Sequence, residues 1–236
     1  MMAISDITAI IVNRKTPTLI EECLTSLLSI YPDIKVLLVD NRSGSDRSLG
    51  YVKKAAKTLP NVRCHLITTG EPSHSRGLNA GVARTTTPYF LTLDSDVTVL
   101  VGGWLEKMLR AFASDPKLFV IGHLCPNANK DCIAPPKAGQ PKFSFVHPFC
   151  ALWSRARYIK LGVKFANTGQ PACYVCINAK KKGYHLANID GIQPHNVVSG
   201  TLYVRHVWGG TRTRLAVLQD NERKRKRNAK RKRNAR

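Results

Sequence analysis

Tyr89-Phe90-Leu91-Thr92-Leu93-Asp94-Ser95-Asp96 places a short, mostly apolar run directly before two carboxylates. A run of this length and composition fits a strand buried on both faces inside a parallel sheet. The two acids then stand one residue apart at the strand's carboxyl end. Ionised carboxylates beside a buried strand need a cation or several hydrogen-bond donors. Paired in this way they can aim oxygens at one divalent cation while a phosphate completes its shell. An isolated D-x-D is ordinarily a solvated turn, and it is the apolar run that favours a metal or phosphate site here.

Working outward, apolar runs alternate with amphipathic segments. Residues 7–13, 34–41 and 62–68 read as strands, and 18–28 and 49–59 as helices. Residues 70–77 read as a loop and 78–85 as a helix. Beyond the D-x-D, residues 104–113 read as a helix, 118–124 as a strand, 125–142 as a surface loop and 145–153 as a strand. Helices are expected at 155–161 and 172–182, and a short strand at 186–189. The alternation implies an α/β fold with a single doubly wound, mostly parallel sheet flanked by helices. Ligands of such sheets lie beyond the strands' carboxyl ends, where the loops after residues 13, 41 and 93 all fall.

The chain has 236 residues, of which 43% are hydrophobic, so it can bury a core and is not wholly disordered. No apolar stretch approaches the length of a membrane-spanning helix. Asp6 falls where a signal peptide would be apolar, so a soluble, cytoplasmic protein is expected. The formal net charge is +22, with 37 Lys+Arg against 15 Asp+Glu. About +9 of it lies in residues 221–236, where Lys224-Arg-Lys-Arg-Asn-Ala229 repeats as Lys230-Arg-Lys-Arg-Asn-Ala235. The expected organisation is therefore one folded domain over 1–220 and a disordered basic tail over 221–236. Body and tail together should be drawn to polyanions, with nucleic acid and anionic membrane surfaces the leading partners. The 7 cysteines are expected to be reduced and mostly buried. A four-thiolate zinc site from Cys125, Cys132, Cys173 and Cys176 is the less favoured reading.

Four motifs carry a resemblance: Thr8-Ala-Ile-Ile-Val-Asn13, Leu38-Val-Asp-Asn-Arg-Ser43, Arg76-Gly-Leu-Asn-Ala-Gly81 and Leu93-Asp-Ser-Asp96. In order and spacing they resemble the family 2-like glycosyltransferases of the GT-A fold. Val146-His-Pro-Phe-Cys-Ala-Leu152, Lys182-Gly-Tyr184 and Val204-Arg-His-Val-Trp-Gly-Gly-Thr211 resemble the same family's acceptor half. The resemblance implies a nucleotide-sugar donor. Asp40, Asn41 and the segment Val12-Asn13-Arg14 would hold the nucleoside. Arg76 and Asn79 would touch the donor sugar or its phosphates. Asp94 and Asp96 would hold Mn²⁺ or Mg²⁺ across the diphosphate, with His206 as a further ligand.

One departure from the family stands out. Inverting members carry an acid before the helix that ends at Lys182-Gly183-Tyr184, and it deprotonates the acceptor. Here that turn reads Gln170-Pro171-Ala172. Asp190 is the carboxylate of this half best placed to serve as base. His147, His195, a retaining mechanism, or binding without turnover remain as competing readings. For the acceptor, the charge favours DNA bearing a hydroxylated base, as in virus-encoded DNA-modifying enzymes, which would act in the host cytoplasm. Its contacts would come from Arg155, Arg157, Lys180, Lys181, Lys182, Arg225 and Arg227. A surface glycan, lipid-linked sugar or protein acceptor is the alternative, and a non-catalytic basic binding protein the third.

Overall fold

The computed structural model describes residues 2–129, 138–139, 141–167, 170–192 and 202–206. After a short 3-10 turn, β1 (Ile7–Asn13) enters the centre of the protein and is buried along its whole length. The helix α1 (Pro17–Ile30) starts with Pro at its first position, where a missing N–H costs nothing. Then follow β2 (Lys35–Asn41), α2 (Arg47–Thr58), β3 (Val62–Ile67), α3 (His74–Val82) and β4 (Tyr89–Asp94). The second half contains β5 (Val97–Val99), α4 (Trp104–Ser114), β6 (Leu118–Ala128), β7 (Phe143–Ser154), α5 (Arg155–Leu161), α6 (Cys173–Lys181), β8 (His185–Asn188) and β9 (Val204–His206).

Seven strands form one sheet in the order β3-β2-β1-β4-β7-β6-β8. Strands β1 to β4 are mutually parallel, β7 is antiparallel to both neighbours, and β8 is parallel to β6. Every strand of the sheet except β7 therefore points its carboxyl end at the same edge. One face of the sheet packs against α1, α2 and α4, and the other against α3, α5 and α6. Two glycines let α3 approach β1 closely. A Cβ on Gly77 would lie 2.4 Å from Val12, and one on Gly81 2.3 Å from Ile10.

The structure departs from the sequence expectations in four places. α3 begins at His74, inside the expected loop, because the Ser73 hydroxyl caps it by accepting from the Arg76 N–H. β6 runs on to Ala128 through part of the expected 125–142 loop, because Cys125 and Ala128 pair with Phe145 and Phe143. β5 was not expected; it pairs with β9 in a second, two-stranded sheet. Finally, Cys173 is disulfide-bonded, so it is neither a free thiol nor available to a zinc site, whereas Cys23, Cys125, Cys150 and Cys176 are thiols as expected. The expectations for Cys132, His195, Arg225, Arg227 and the 221–236 tail lie outside the described residues.

Pro148 shapes the edge of the sheet near β4. Register between β6 and β7 jumps from Gly122↔Ala151 to Leu124↔Val146, leaving residues 147–150 of β7 bulged against His123. A proline cannot donate to a ladder, so a bulge is where a strand tolerates it. Cys150 pairs with Leu93, which brings the bulge beside the last residue of β4.

Candidate metal and donor site

β4 ends at Asp94, and a tight reversal through Ser95 and Asp96 leads into β5. Ser95 is buried and shares a hydrogen bond with the Thr16 hydroxyl at 3.2 Å, which ties the reversal to the loop after β1. β9 pairs with β5 so that His206 lies opposite Val97. That register places His206 Nε2 3.2 Å from Asp96 Oδ1 and 3.8 Å from Asp94 Oδ2. The imidazole stacks on Phe149 at 4.6 Å with an interplanar angle of 2°, so its orientation is fixed by the β7 bulge. One ligand atom from each of Asp94, Asp96 and His206 lies within 4.8 Å of the other two. Two carboxylates and an imidazole converging at this spacing fit one divalent cation. The structure thus brings together the three residues that the sequence reading expects to hold a metal.

Two further histidines join them. His74 Nε2 lies 3.1 Å from Asp94 Oδ1, carried there by the first turn of α3. His147, in the bulge, is buried and lies within electrostatic reach of Asp94. Burial opposes ionising Asp94. The charge and hydrogen bond of His74, with the charges of His206 and His147, outweigh it and hold the carboxyl down at about 2. For His147 burial dominates, and with the neighbouring histidines it depresses the imidazole to about 4. Burial also lowers His74, but Asp94 beside it wins and raises the imidazole above its usual value. His74 was missed because Ser73-His74-Ser75 carries no motif. The signal was available in Ser73 itself, a helix cap aimed at the ligand edge.

On the expected nucleoside side, Asn13 and Asp40 are tightly satisfied within the protein. Asn13 is fully buried, and its amide reaches Asp40 Oδ2 at 2.8 Å and the hydroxyls of Ser43 and Ser48, each at 3.1 Å. Asp40 accepts in addition from the Ser43 N–H at 3.0 Å, so the acid organises the loops after β1 and β2. Asn41 donates to the Ser73 carbonyl at 2.8 Å, linking this loop to the one that presents His74. Two buried polar atoms here have no hydrogen-bond partner, Asn41 Oδ1 and Arg14 Nε. Unsatisfied groups of this kind at a ligand edge mark where a polar ligand would bind. Val12 packs beneath α3.

Several expected residues are not gathered here. The Arg76 guanidinium folds back over Gly70 and donates to the Glu71 carbonyl at 3.3 Å. The Asn79 amide is spent on Phe165, donating to its carbonyl at 2.9 Å and accepting from its N–H at 3.1 Å, so it clamps a loop. Arg155 and Arg157 follow the carboxyl end of β7, which antiparallel pairing puts at the opposite edge. Arg157 there donates to the carbonyls of Leu118 and Pro116, both at 2.8 Å. Lys180, Lys181 and Lys182 close α6 near the start of β6, also at that far edge. Asp190, by contrast, follows the carboxyl end of β8 at the ligand edge. No acid stands at the start of α6, whose N-cap is Ala172.

A mostly parallel sheet with an Asp-Ser-Asp and a histidine at the end of its central strand is the arrangement of the GT-A glycosyltransferase fold. The chain belongs to glycosyl transferase family 2, whose model matches residues 8–159. It is similar in structure to the mannosyltransferase PcManGT from Pyrobaculum calidifontis in complex with GDP-Man and Mn²⁺, at 19% identity and a TM-score of 0.60. That match covers 82% of this chain and 55% of the other. Residues 1–349 of S. aureus TarS are similar at 15% identity and a TM-score of 0.54, covering 78% of this chain and 57% of that one. The chain thus spans little more than half the length of either structure. No curated protein matches its sequence. No described helix is long and apolar enough to cross a membrane.

Proposed function

We propose that the protein is a metal-dependent glycosyltransferase that moves a sugar from a nucleotide-sugar donor to a hydroxyl acceptor. The observation that carries this reading is the convergence of Asp94, Asp96 and His206 in a family 2 chain. Mn²⁺ or Mg²⁺ held there would offset the charge that develops on the departing nucleoside diphosphate. Asn41 and Arg14, with their unpaired buried atoms, would receive the nucleoside. Asp190 would take the acceptor's proton.

The favoured acceptor is a hydroxymethylated base in DNA, supported by the net charge of +22. Arg155, Arg157 and Lys180 to Lys182 stand at the edge away from Asp94, so in this reading they add to the attracting field and do not touch the modified base. A second reading, a glycan or lipid-linked acceptor at an anionic membrane, draws on that same far edge. There α5 exposes Ile159 (54%) next to Lys160. Incubation with labelled nucleotide sugars, Mn²⁺ and hydroxymethylated DNA should leave label on the DNA. Label recovered only in lipid or glycan extracts would select the second reading. Donor binding with no turnover on any acceptor would leave a binding protein.

Removing His74 tests the metal site without requiring turnover. Its imidazole competes with a cation for Asp94. Hydrogen bonds to charged groups contribute roughly 1.5–3 kcal/mol when buried, and this one is partly exposed. His74→Ala should therefore tighten Mn²⁺ binding to the donor-free protein by about threefold to tenfold, read by the loss of free-Mn²⁺ EPR signal. Weaker binding would make His74 a ligand, and unchanged binding would show that it does not compete for Asp94.

A further inference from the structure

Beside the second half of β6 and the carboxyl end of β8 lies a cavity of about 320 Å³ whose walls include His123, Leu124, Pro126, Asn188, Ile189 and Asp190. None of the described residues lining it is Lys or Arg. Leu124, Pro126 and Ile189 supply apolar surface, whereas His123, Asn188 and Asp190 supply hydrogen-bonding groups. Asn188 is already committed. Its Oδ1 accepts from the Leu124 N–H at 3.1 Å and its Nδ2 donates to Asp190 Oδ1 at 3.0 Å. The amide thereby holds the carboxylate through one oxygen and leaves Asp190 Oδ2 to accept from a ligand.

The cavity adjoins the metal ligands by two routes. The carbonyl of Gly191, next to Asp190, accepts from the Tyr203 N–H at 2.9 Å. Tyr203 leads into β9, and His206 follows three residues on, about 10 Å away at the rise of an extended chain. Across the sheet, the His123 ring lies 6.3 Å from that of Phe149, on which His206 stacks. That separation is of the order that a donor sugar joined to a metal-held diphosphate would bridge.

We infer that this cavity is the acceptor subsite and that it takes one uncharged ring bearing a reactive hydroxyl. The inference rests on the glycosyltransferase reading above. A wall of aliphatic side chains suits the flat apolar face of a ring. A carboxylate and an amide, with no Lys or Arg among the described lining residues, suit hydroxyls and disfavour phosphates or carboxylates. In the reaction the hydroxyl proton passes to Asp190 as the acceptor oxygen bonds to the anomeric carbon. The bond from that carbon to the diphosphate breaks, and its electron pair leaves on the nucleoside diphosphate. Such a ring has two sources, the end of a sugar chain or a hydroxymethylated pyrimidine turned out of a strand.

Saturation-transfer NMR on the full chain, without donor, tests the cavity. The probes are methyl hexopyranosides, 5-hydroxymethyl-2′-deoxycytidine and a sugar phosphate. One of the two neutral rings should receive saturation and the sugar phosphate should not; the ring that responds identifies the source. Leu124→Trp should abolish the signal by filling the cavity. Pro126→Trp, at an exposed position, does the same if the first variant fails to fold. Binding of a nucleoside diphosphate with Mn²⁺ reports that each variant is folded. Asp190→Asn should keep ring binding within about threefold and lose at least about 10²-fold in transfer, the usual contribution of a general base. No saturation of either neutral ring, or saturation that survives the Trp variants, would overturn the cavity assignment. Transfer at the wild-type rate in Asp190→Asn would overturn the base. Ring binding without any donor consumption would sink the glycosyltransferase reading and leave the cavity standing.

Discussion

Asp96→Asn should lower sugar transfer by about 10³-fold while leaving the fold intact, because electrostatic support of a departing diphosphate supplies several kcal/mol. The substitution keeps the side chain's shape and removes its charge. Asp96 is the better residue to change, because the two acids are engaged differently. Asp94 is tied to His74 at 3.1 Å, whereas Asp96 faces His206 at 3.2 Å across the proposed cation position. Loss of one carboxylate from two carboxylates and an imidazole leaves too little negative charge to hold a divalent cation against water. The check is twofold. Transfer of labelled sugar should fall by three orders of magnitude, and the Mn²⁺ EPR titration should lose its tight phase. The melting temperature should move by no more than a few degrees, since the like charge of Asp94 beside it offsets much of what Asp96 gains from His206. Full activity in Asp96→Asn would remove the metal from the mechanism altogether.

The donor half could be read from sequence because β1, β2 and β4 are short, mostly apolar runs that end on a polar residue. β1 runs from Ile7 to Asn13 and β4 from Tyr89 to Asp94, both at the expected limits. Burial on both faces and a polar ligand edge are written directly into such a pattern. His206 was legible only through its resemblance to a family motif. Its actual position depends on β5, a strand of 3 residues whose pairing with β9 joins segments about a hundred residues apart. No local pattern encodes a contact of that range. The β7 bulge was half legible: Pro148 inside an apolar strand announces an interruption, but not that His147 and Phe149 will be delivered to Asp94. The basic residues misled for a topological reason. Arg155 lies at the far edge because β7 runs antiparallel, and Lys180 because α6 ends beside the start of β8. Asp190 was singled out as a candidate base by elimination among the acids of its half, and what sequence could not supply was Asn188, whose amide holds its carboxylate.

Trp153→Ala should cost about 3–5 kcal/mol of stability, the usual loss for emptying a fully buried indole site. Trp153 has no exposed surface and forms the centre of an aromatic group. It stacks on Phe90 at 5.9 Å and meets Phe119 and Phe165 edge-on at 6.0 and 5.2 Å. Its indole N–H donates to the Thr92 hydroxyl at 3.0 Å, and Thr92 in turn donates to the Ala151 carbonyl at 3.3 Å. Truncation therefore opens a large cavity and removes one hydrogen bond, but leaves Thr92 with a partner. For a chain of this size each kcal/mol moves the midpoint by roughly 2–4 °C, so a fall of roughly 6–20 °C is expected. Trp153→Phe refills most of the volume and should recover more than half of the loss in urea unfolding. The cluster approaches the site through Thr92, two residues before Asp94. Below its midpoint the Ala variant should still bind Mn²⁺, since the ligands lie on β4, the β4–β5 reversal and β9 and not in this cluster. That outcome is the inverse of Asp96→Asn, which should keep the fold and lose the metal. A loss under about 1 kcal/mol in Trp153→Ala would mean that the face beneath α3, α5 and α6 is not packed around this indole.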